Sequence, residues 1–317
     1  MDILEIVRRQ IGVLPEGPHI AGLQSVLRHI ETAHRHLSRG QEQQDYSAFT
    51  DAIYRTNQAF EGSIKEAYRV LASKDPSKAT PYQIEQYLQQ NKIFRDRVLS
   101  QFTSYRTEWR NPSTHDYNLD FNEDEAFLAI VSVSAFTKLM LNQVTERLAF
   151  VEVEADLKEH NGSPAQERSS PAEPLAQRIA AAILSFVGQY LASNQHLSIE
   201  TEMQLLGALA GYLSKVEPSV SVALDQAFGE ERRFRADMVA TSESEKLIIE
   251  LKRTASTEVI ANGLRQVEAY LQASQIRFGL LFAYGGRDVQ YTCTMVTLLD
   301  GEVVVIAPLS ASGKITT

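Results

Sequence analysis

Three ionisable residues with complementary chemistry stand close together near the C-terminal end of this 317-residue chain: Asp237, Glu250 and Lys252. Glu250-Leu251-Lys252 closes the apolar run that begins at Leu247. Side chains alternate faces along a strand, so Glu250 and Lys252 share one face and Leu251 takes the other. The turn from Thr241 to Glu245 is short enough to fold the flanking strands into an antiparallel pair, which sets Asp237 beside Glu250. Two neighbouring carboxylates repel unless a divalent cation occupies the gap. Mg²⁺, with Mn²⁺ as its substitute, takes oxygen ligands and keeps several waters. Such an ion neutralises a phosphate and yields a nucleophilic water, with Lys252 serving the nucleophile or the transition-state charge. The chemistry these residues predict is metal-assisted phosphodiester hydrolysis, with Asp237, Glu250 and Lys252 as its catalytic residues.

A second dense stretch is Trp109-Arg-Asn-Pro-Ser-Thr-His115. The residue before a proline is pushed out of the helical region, so a helix ending at Arg110 and a break at Pro112 are predicted. That break brings Arg110 and His115 to one place. A guanidinium pairs with a phosphate and a histidine near neutrality moves protons, a combination suited to attack of an RNA 2′-hydroxyl on its neighbouring phosphate without metal.

The elements that must position these groups follow from periodicity. Phe49, Ile53, Phe60, Ile64, Ala67, Tyr68 and Leu71 keep helical spacing. Thr80-Pro81 marks a restart, with Thr80 as N-cap. Ile84, Tyr87, Leu88, Phe94, Val98, Phe102 and Tyr105 then predict one long amphipathic helix running to Arg110. Asn122 and Glu125 form a capping box for a further helix, with Phe127, Ile130, Val131, Phe136, Leu139, Met140 and Leu148 on its apolar face. A polar stretch with three prolines, 156–174, reads as a linker. Beyond it come helices at Leu175–Leu191 and Glu202–Leu213. Strands are expected at Phe234–Ala240, Leu247–Lys252, Arg277–Ala283, Val289–Leu298 and Val303–Ala307, with a helix at Glu258–Ala273 between the second and third. Asp300-Gly301 is a hairpin turn.

Residues from about Leu175 to Pro308 resemble the PD-(D/E)xK nuclease superfamily, whose fold is restriction-endonuclease-like. Asp237 matches the first motif acid, with Ala236 where the family name has proline, and Glu250-Leu-Lys252 matches the second motif in full. Gln266-x-x-x-Tyr270 is similar to the Q-x-x-x-Y element of the exonuclease-type branch. The resemblance implies a metal held by Asp237 and Glu250. It also implies a supporting glutamate on the preceding helix, for which Glu202 is the first choice and Glu200 the second. Gln266 and Tyr270 would contact nucleic acid, and Arg235 is a candidate phosphate contact beside them. Residues from about 10 to 150 resemble the HEPN superfamily, because Arg110-Asn111 followed by His115 fits its R-x4-H pattern. Glu61-x-x-x-Lys65 is also typical of it, and equally of an ordinary helix ion pair. That resemblance implies a helical bundle, a homodimer and a metal-independent endoribonuclease, often in toxin or antiviral systems.

Composition bounds these expectations. The single cysteine, Cys293, excludes an internal disulfide framework and a cysteine-ligated zinc or iron–sulfur site, and fits a reducing, cytoplasmic setting. No run approaches the roughly 18 uninterrupted apolar residues of a membrane span, so no membrane partner is expected. The net charge of −9 argues against a broad basic nucleic-acid surface. Between Glu230 and Arg287, however, nine basic residues face eight acidic ones. The expectation is a multidomain protein. A HEPN-like all-α domain spans 1–154, a linker 155–174, and an α/β nuclease domain with a mixed sheet 175–317. The protein is expected to cleave DNA with Mg²⁺, and RNA through its helical domain, as a bacterial defence or toxin-type effector. Two alternatives stand beside this: a ribonuclease effector whose C-terminal domain only binds or senses nucleic acid, and an assembly subunit with both sites idle.

Overall fold

The computed structural model describes residues 3–115, 119–159, 173–194, 197–287 and 289–309. The chain forms two compact units, Met1–Leu148 and Ala149–Thr317, with the change falling inside one long helix. Most of the expected linker lies outside the described residues.

Unit 1 is helical. Its helices are α1 (Ile3–Gly12), α2 (Ile20–Gln43), α3 (Ser47–Leu71), α4 (Pro81–Gln90), α5 (Asp96–Tyr105), α6 (Asn111–His115) and the first part of α7 (Glu123–Glu159). Thr80 caps α4 through a capping box with Gln83, and Pro81 occupies the first turn. Asn122 and Glu125 do the same for α7: the Glu125 amide donates to Asn122 Oδ1 at 3.0 Å and the Asn122 amide to Glu125 Oε2 at 2.8 Å. Phe60 stacks with Phe102 and Tyr105 at the centre, with Phe136 tilted against it.

Three helical expectations need correction. The helix expected from Ile84 to Arg110 is two helices, α4 and α5. Gln143 of α7 replaces the missing turn at the break, donating to the Ile93 carbonyl at 2.6 Å and accepting from the Arg95 amide at 3.3 Å. The chain also does not leave the helix at Pro112. A π-helical turn, Arg106–Arg110, precedes α6, and Pro112 lies in the first turn of α6. The wider π-helical turn accommodates the proline inside a continuous helix. On α7, Phe127 and Val131 are exposed, and Ala126, Ala129 and Val133 take the buried positions beside Ile130 and Phe136.

Unit 2 has three layers around a six-stranded mixed sheet, β1 (Ser221–Phe228), β2 (Phe234–Thr241), β3 (Lys246–Lys252), β4 (Phe278–Ala283), β5 (Tyr291–Leu298) and β6 (Gly301–Pro308). The spatial order is β1-β2-β3-β4-β6-β5. The central strands β3, β4 and β6 are parallel, and both flanks are antiparallel hairpins. Helix α11 (Thr257–Ser274), the crossover from β3 to β4, covers one face with Ile260, Val267 and Leu271 against Ile248, Leu281 and Val303. Helices α8 (Leu175–Ser185), α9 (Leu191–Ser193) and α10 (Glu202–Val216) share the other face with Leu247, Ile249, Leu251, Phe282 and Ile306. A second π-helical turn, Phe186–Tyr190, joins α8 to α9. Strand β1 was not expected from sequence: it is an edge strand, half-exposed along its length, without the apolar alternation of its neighbours.

By length and hydropathy, Glu123–Glu159 and Leu175–Ser193 could each cross a bilayer. Half and two-thirds of their most apolar windows, respectively, are buried within the protein.

Close backbone approach fixes α10. A Cβ on Gly211 would lie 2.7 Å from the Phe150 carbonyl oxygen at the end of α7. Main chain cannot yield as a flexible side chain does. Gly211→Ala is therefore expected to destabilise the protein by about 1–3 kcal/mol. An unchanged urea midpoint in this variant would contradict the packing described.

Candidate functional site

Strands β2 and β3 are paired from Met238–Ile249 to Thr241–Lys246. One rung beyond the end of that ladder, the same register sets Asp237 opposite Glu250. There the side chain replaces the main chain: Asp237 Oδ2 accepts the Leu251 amide at 2.7 Å. Glu250 continues instead in the parallel ladder with β4, opposite Leu281. The acidic pair thus stands at a fork between a strand that turns away and one that runs on into the sheet.

Glu250 is 2% exposed. Its Oε1 accepts from Lys252 Nζ at 2.6 Å, and its Oε2 has no hydrogen-bond partner among the described residues. Burial raises the Glu250 pKa, and Lys252, helped by a hydrogen bond from the Asp237 backbone, only partly reverses this. Burial, then the charge of Glu250, push Asp237 up to about 8, against the stabilising Leu251 amide. For Lys252, burial favours the neutral amine, but the hydrogen bond and charge of Glu250, with Asp237 and Glu202 behind it, hold its pKa above the ordinary value. The structure therefore brings together three of the expected site residues, Asp237, Glu250 and Lys252, with two acids facing one base.

Glu202 opens α10, next to the Thr201 cap. Its negative charge acts on Asp237, Glu250 and Lys252 alike. Glu200, the second choice, is exposed and accepts from the Ser198 hydroxyl at 3.0 Å. Among the described residues, no three His, Cys, Asp or Glu side chains are grouped as a ready metal shell. The donor set that is present is a carboxylate pair with one buried oxygen uncompensated. That pair fits a hard cation that retains most of its coordination as water, and does not form an all-protein cage.

Gln266 donates to the Tyr270 hydroxyl one turn along α11. Tyr270 is buried and packs against Phe228 and Phe234, so its ring belongs to the core and Gln266, the more exposed member, is the one open to a ligand. Arg235 Nη1 donates to Asp225 Oδ2 at 2.7 Å and to its carbonyl at 3.0 Å, and the Arg235 side chain is only 14% exposed. The expected phosphate contact is thus held by an edge-strand aspartate. Asp225 escaped notice because β1 itself did.

In unit 1, Arg110 Nη2 lies 3.8 Å from Glu85 Oε1, and Arg106 Nη1 lies 3.9 Å from Glu85 Oε2. Arg110 Nη1 also donates to Asn111 Oδ1 at 3.1 Å. Glu85 is buried, and burial raises its pKa against the pull of Arg110 and Arg106. The buried Arg110 Nε and Trp109 Nε1 have no hydrogen-bond partner among the described residues. His115 closes α6, and its side chain is not among those described. The helix break that was to join His115 to Arg110 is not present. Glu85 was missed, although a carboxylate between Ile84 and Leu88 on the apolar stripe of α4 was a sign of it.

No protein-family model matches the chain, and neither does any curated protein.

The raised Asp237 pKa gives a pH dependence. A folded-state pKa near 8, against an ordinary 3.8, means that the native state binds more protons than the unfolded chain between those values. Stability of the metal-free protein is therefore highest at the acid end of this window and falls as pH rises towards 8. Urea denaturation in EDTA at pH 5 and pH 8 checks this, with Asp237→Asn expected to flatten the difference. A wild-type protein more stable at pH 8 than Asp237→Asn would show that Asp237 is not held in this environment.

Proposed function

We propose that the protein is a nuclease whose unit 2 hydrolyses DNA phosphodiesters with Mg²⁺ or Mn²⁺. The supporting observation is the fork: Asp237 and Glu250 side by side, short of positive charge, with Lys252 bonded to one of them. Bound metal would supply neutralisation of the phosphate and a water of lowered pKa. Asp237 and Glu250 hold the cation. The Leu251 amide fixes the Asp237 carboxylate, leaving its second oxygen for the ion. Lys252, kept protonated by three acids, holds Glu250 in place and offers positive charge to the phosphate oxygens in the transition state. Glu202 adds negative potential behind the pair, which strengthens cation capture. The restriction-endonuclease-like arrangement implied by the sequence is consistent with a mixed sheet covered on both faces.

The helical unit carries the expectation of dimerisation and of RNA cleavage by Arg110 and His115. Arg110 is engaged with buried Glu85, so we assign the principal activity to unit 2.

Purified protein with Mg²⁺ should cleave linear or circular DNA, and EDTA should abolish this. Asp237→Asn should lower kcat by at least about a hundredfold, the scale of losing one group that stabilises transition-state charge. Cleavage of DNA by Asp237→Asn at the wild-type rate would overturn the assignment. RNA cleavage that survives EDTA and disappears in His115→Ala would move the activity to unit 1. Inactivity on both polymers with metal supplied would favour a binding or assembly role.

A further inference from the structure

The three parallel strands end side by side, β3 at Lys252, β4 at Ala283 and β6 at Pro308. Ligands of open α/β sheets gather outside such carboxyl ends. The connection leaving β4 crosses this rim. Its first residue, Tyr284, donates its amide to the Lys252 carbonyl at 2.7 Å, so the loop starts directly beside the proposed catalytic lysine. Gly285 then lies against Pro308, where a Cβ would sit 2.3 Å from the proline ring. Gly286 has φ +123°, a conformation open to glycine, and a Cβ there would meet nothing within 4 Å. Tyr291 clamps the two glycines from below: its hydroxyl accepts the Gly285 amide at 3.0 Å and donates to the Gly286 carbonyl at 2.8 Å.

This fixed glycine pair presents Arg287. Arg287 Nη1 donates to the Asn194 carbonyl at 3.0 Å, in the segment that leads into α10 and Glu202. A guanidinium has five N–H donors in a planar fork, and among the described residues Arg287 uses one of them on a neutral carbonyl. Arg287 is half-buried and follows by three residues Tyr284, whose amide meets the Lys252 carbonyl. A Cβ on the neighbouring Gly286 would meet nothing within 4 Å.

We infer that the Gly285-Gly286-Arg287 loop is a phosphate clamp, in which Arg287 grips a backbone phosphate next to the one being hydrolysed. This rests on the nuclease reading and adds how a polymer, as distinct from a lone phosphodiester, is held. An acidic protein with net charge −9 cannot rely on a diffuse basic surface to retain DNA, so a rigid, preorganised arginine beside the cleavage site supplies the grip locally.

The test uses the full chain and a short fluorescein-labelled DNA duplex. Binding is read by anisotropy in Ca²⁺ over a range of salt, and cleavage kinetics are read in Mg²⁺. Arg287→Ala should bind about tenfold more weakly, with the salt slope shallower by about one ion and the loss in cleavage falling mainly on KM. Arg287→Lys, which keeps the charge, should recover the slope. Arg287→Gln, which keeps a donor for the Asn194 carbonyl without the charge, should behave like Arg287→Ala. Duplex binding by Arg287→Gln equal to wild type would reduce Arg287 to a structural tie and overturn the clamp. Hydrolysis of bis(4-nitrophenyl) phosphate by the wild-type protein in Mn²⁺ reads the site of Asp237, Glu250 and Lys252 alone. With that hydrolysis present, unchanged duplex affinity in Arg287→Ala refutes only the clamp. With hydrolysis and duplex binding both absent in wild type, clamp and nuclease reading fall together.

Discussion

Asp237 and Glu250 are withdrawn from water together, at a point where backbone amides and a single ammonium group compensate them. Burial raises both carboxyl groups, and the charge of Glu250 adds to the rise at Asp237. Isolated buried carboxylates are costly, and a pair of them more so. The surrounding unit enforces this arrangement. Helix α11 ties β3 to β4 in parallel, with Gly263 and Gly279 allowing the close approach: a Cβ on either would meet Leu281 at 2.7 Å or Val267 at 2.5 Å. Strand β2 returns antiparallel through its short turn and is released from β3 at the rung where the carboxylates meet. The sheet is therefore rigid on either side of a place held short of positive charge.

The buried charges of unit 1 have the opposite balance. There one acid, Glu85, faces two arginines, Arg106 and Arg110. Such a group is already supplied with cations and asks for no metal. Removing either arginine would leave a buried carboxylate less well paired, which is strongly destabilising when complete. Among the described residues, Glu85 and Glu250 each have a buried oxygen without a hydrogen-bond partner, but Glu85 faces two arginines whereas Asp237 and Glu250 share one lysine, an imbalance that a dissolved cation would satisfy. This difference, more than the number of charged residues in each unit, is the reason for placing the metal chemistry at the β2–β3 fork.

The parts of the molecule legible in sequence are those governed by local rules. Thr80 with Gln83, Asn122 with Glu125, and the alternation of Leu247 to Lys252 each express a constraint reaching only a few residues. The grouping of Asp237, Glu250 and Lys252 followed from strand alternation plus one short turn. What escaped was set by partners distant in sequence. The break between α4 and α5 is completed by Gln143, some fifty residues away. Pro112 stays helical because a π-helical turn precedes it, which no propensity signals. Strand β1 is specified by its ladder to β2, and its own residues lack an apolar pattern. Arg235 and Arg110 look free in sequence because Asp225 and Glu85 are reached only through the fold.

We propose that a divalent cation belongs at the fork, and anomalous diffraction from crystals grown with Mn²⁺ can locate it. A peak is expected within coordination distance of both Asp237 and Glu250, with water completing the shell, and no such peak in Glu250→Gln crystals. A well-occupied peak elsewhere, with this carboxylate pair left bare at saturating Mn²⁺, would contradict it.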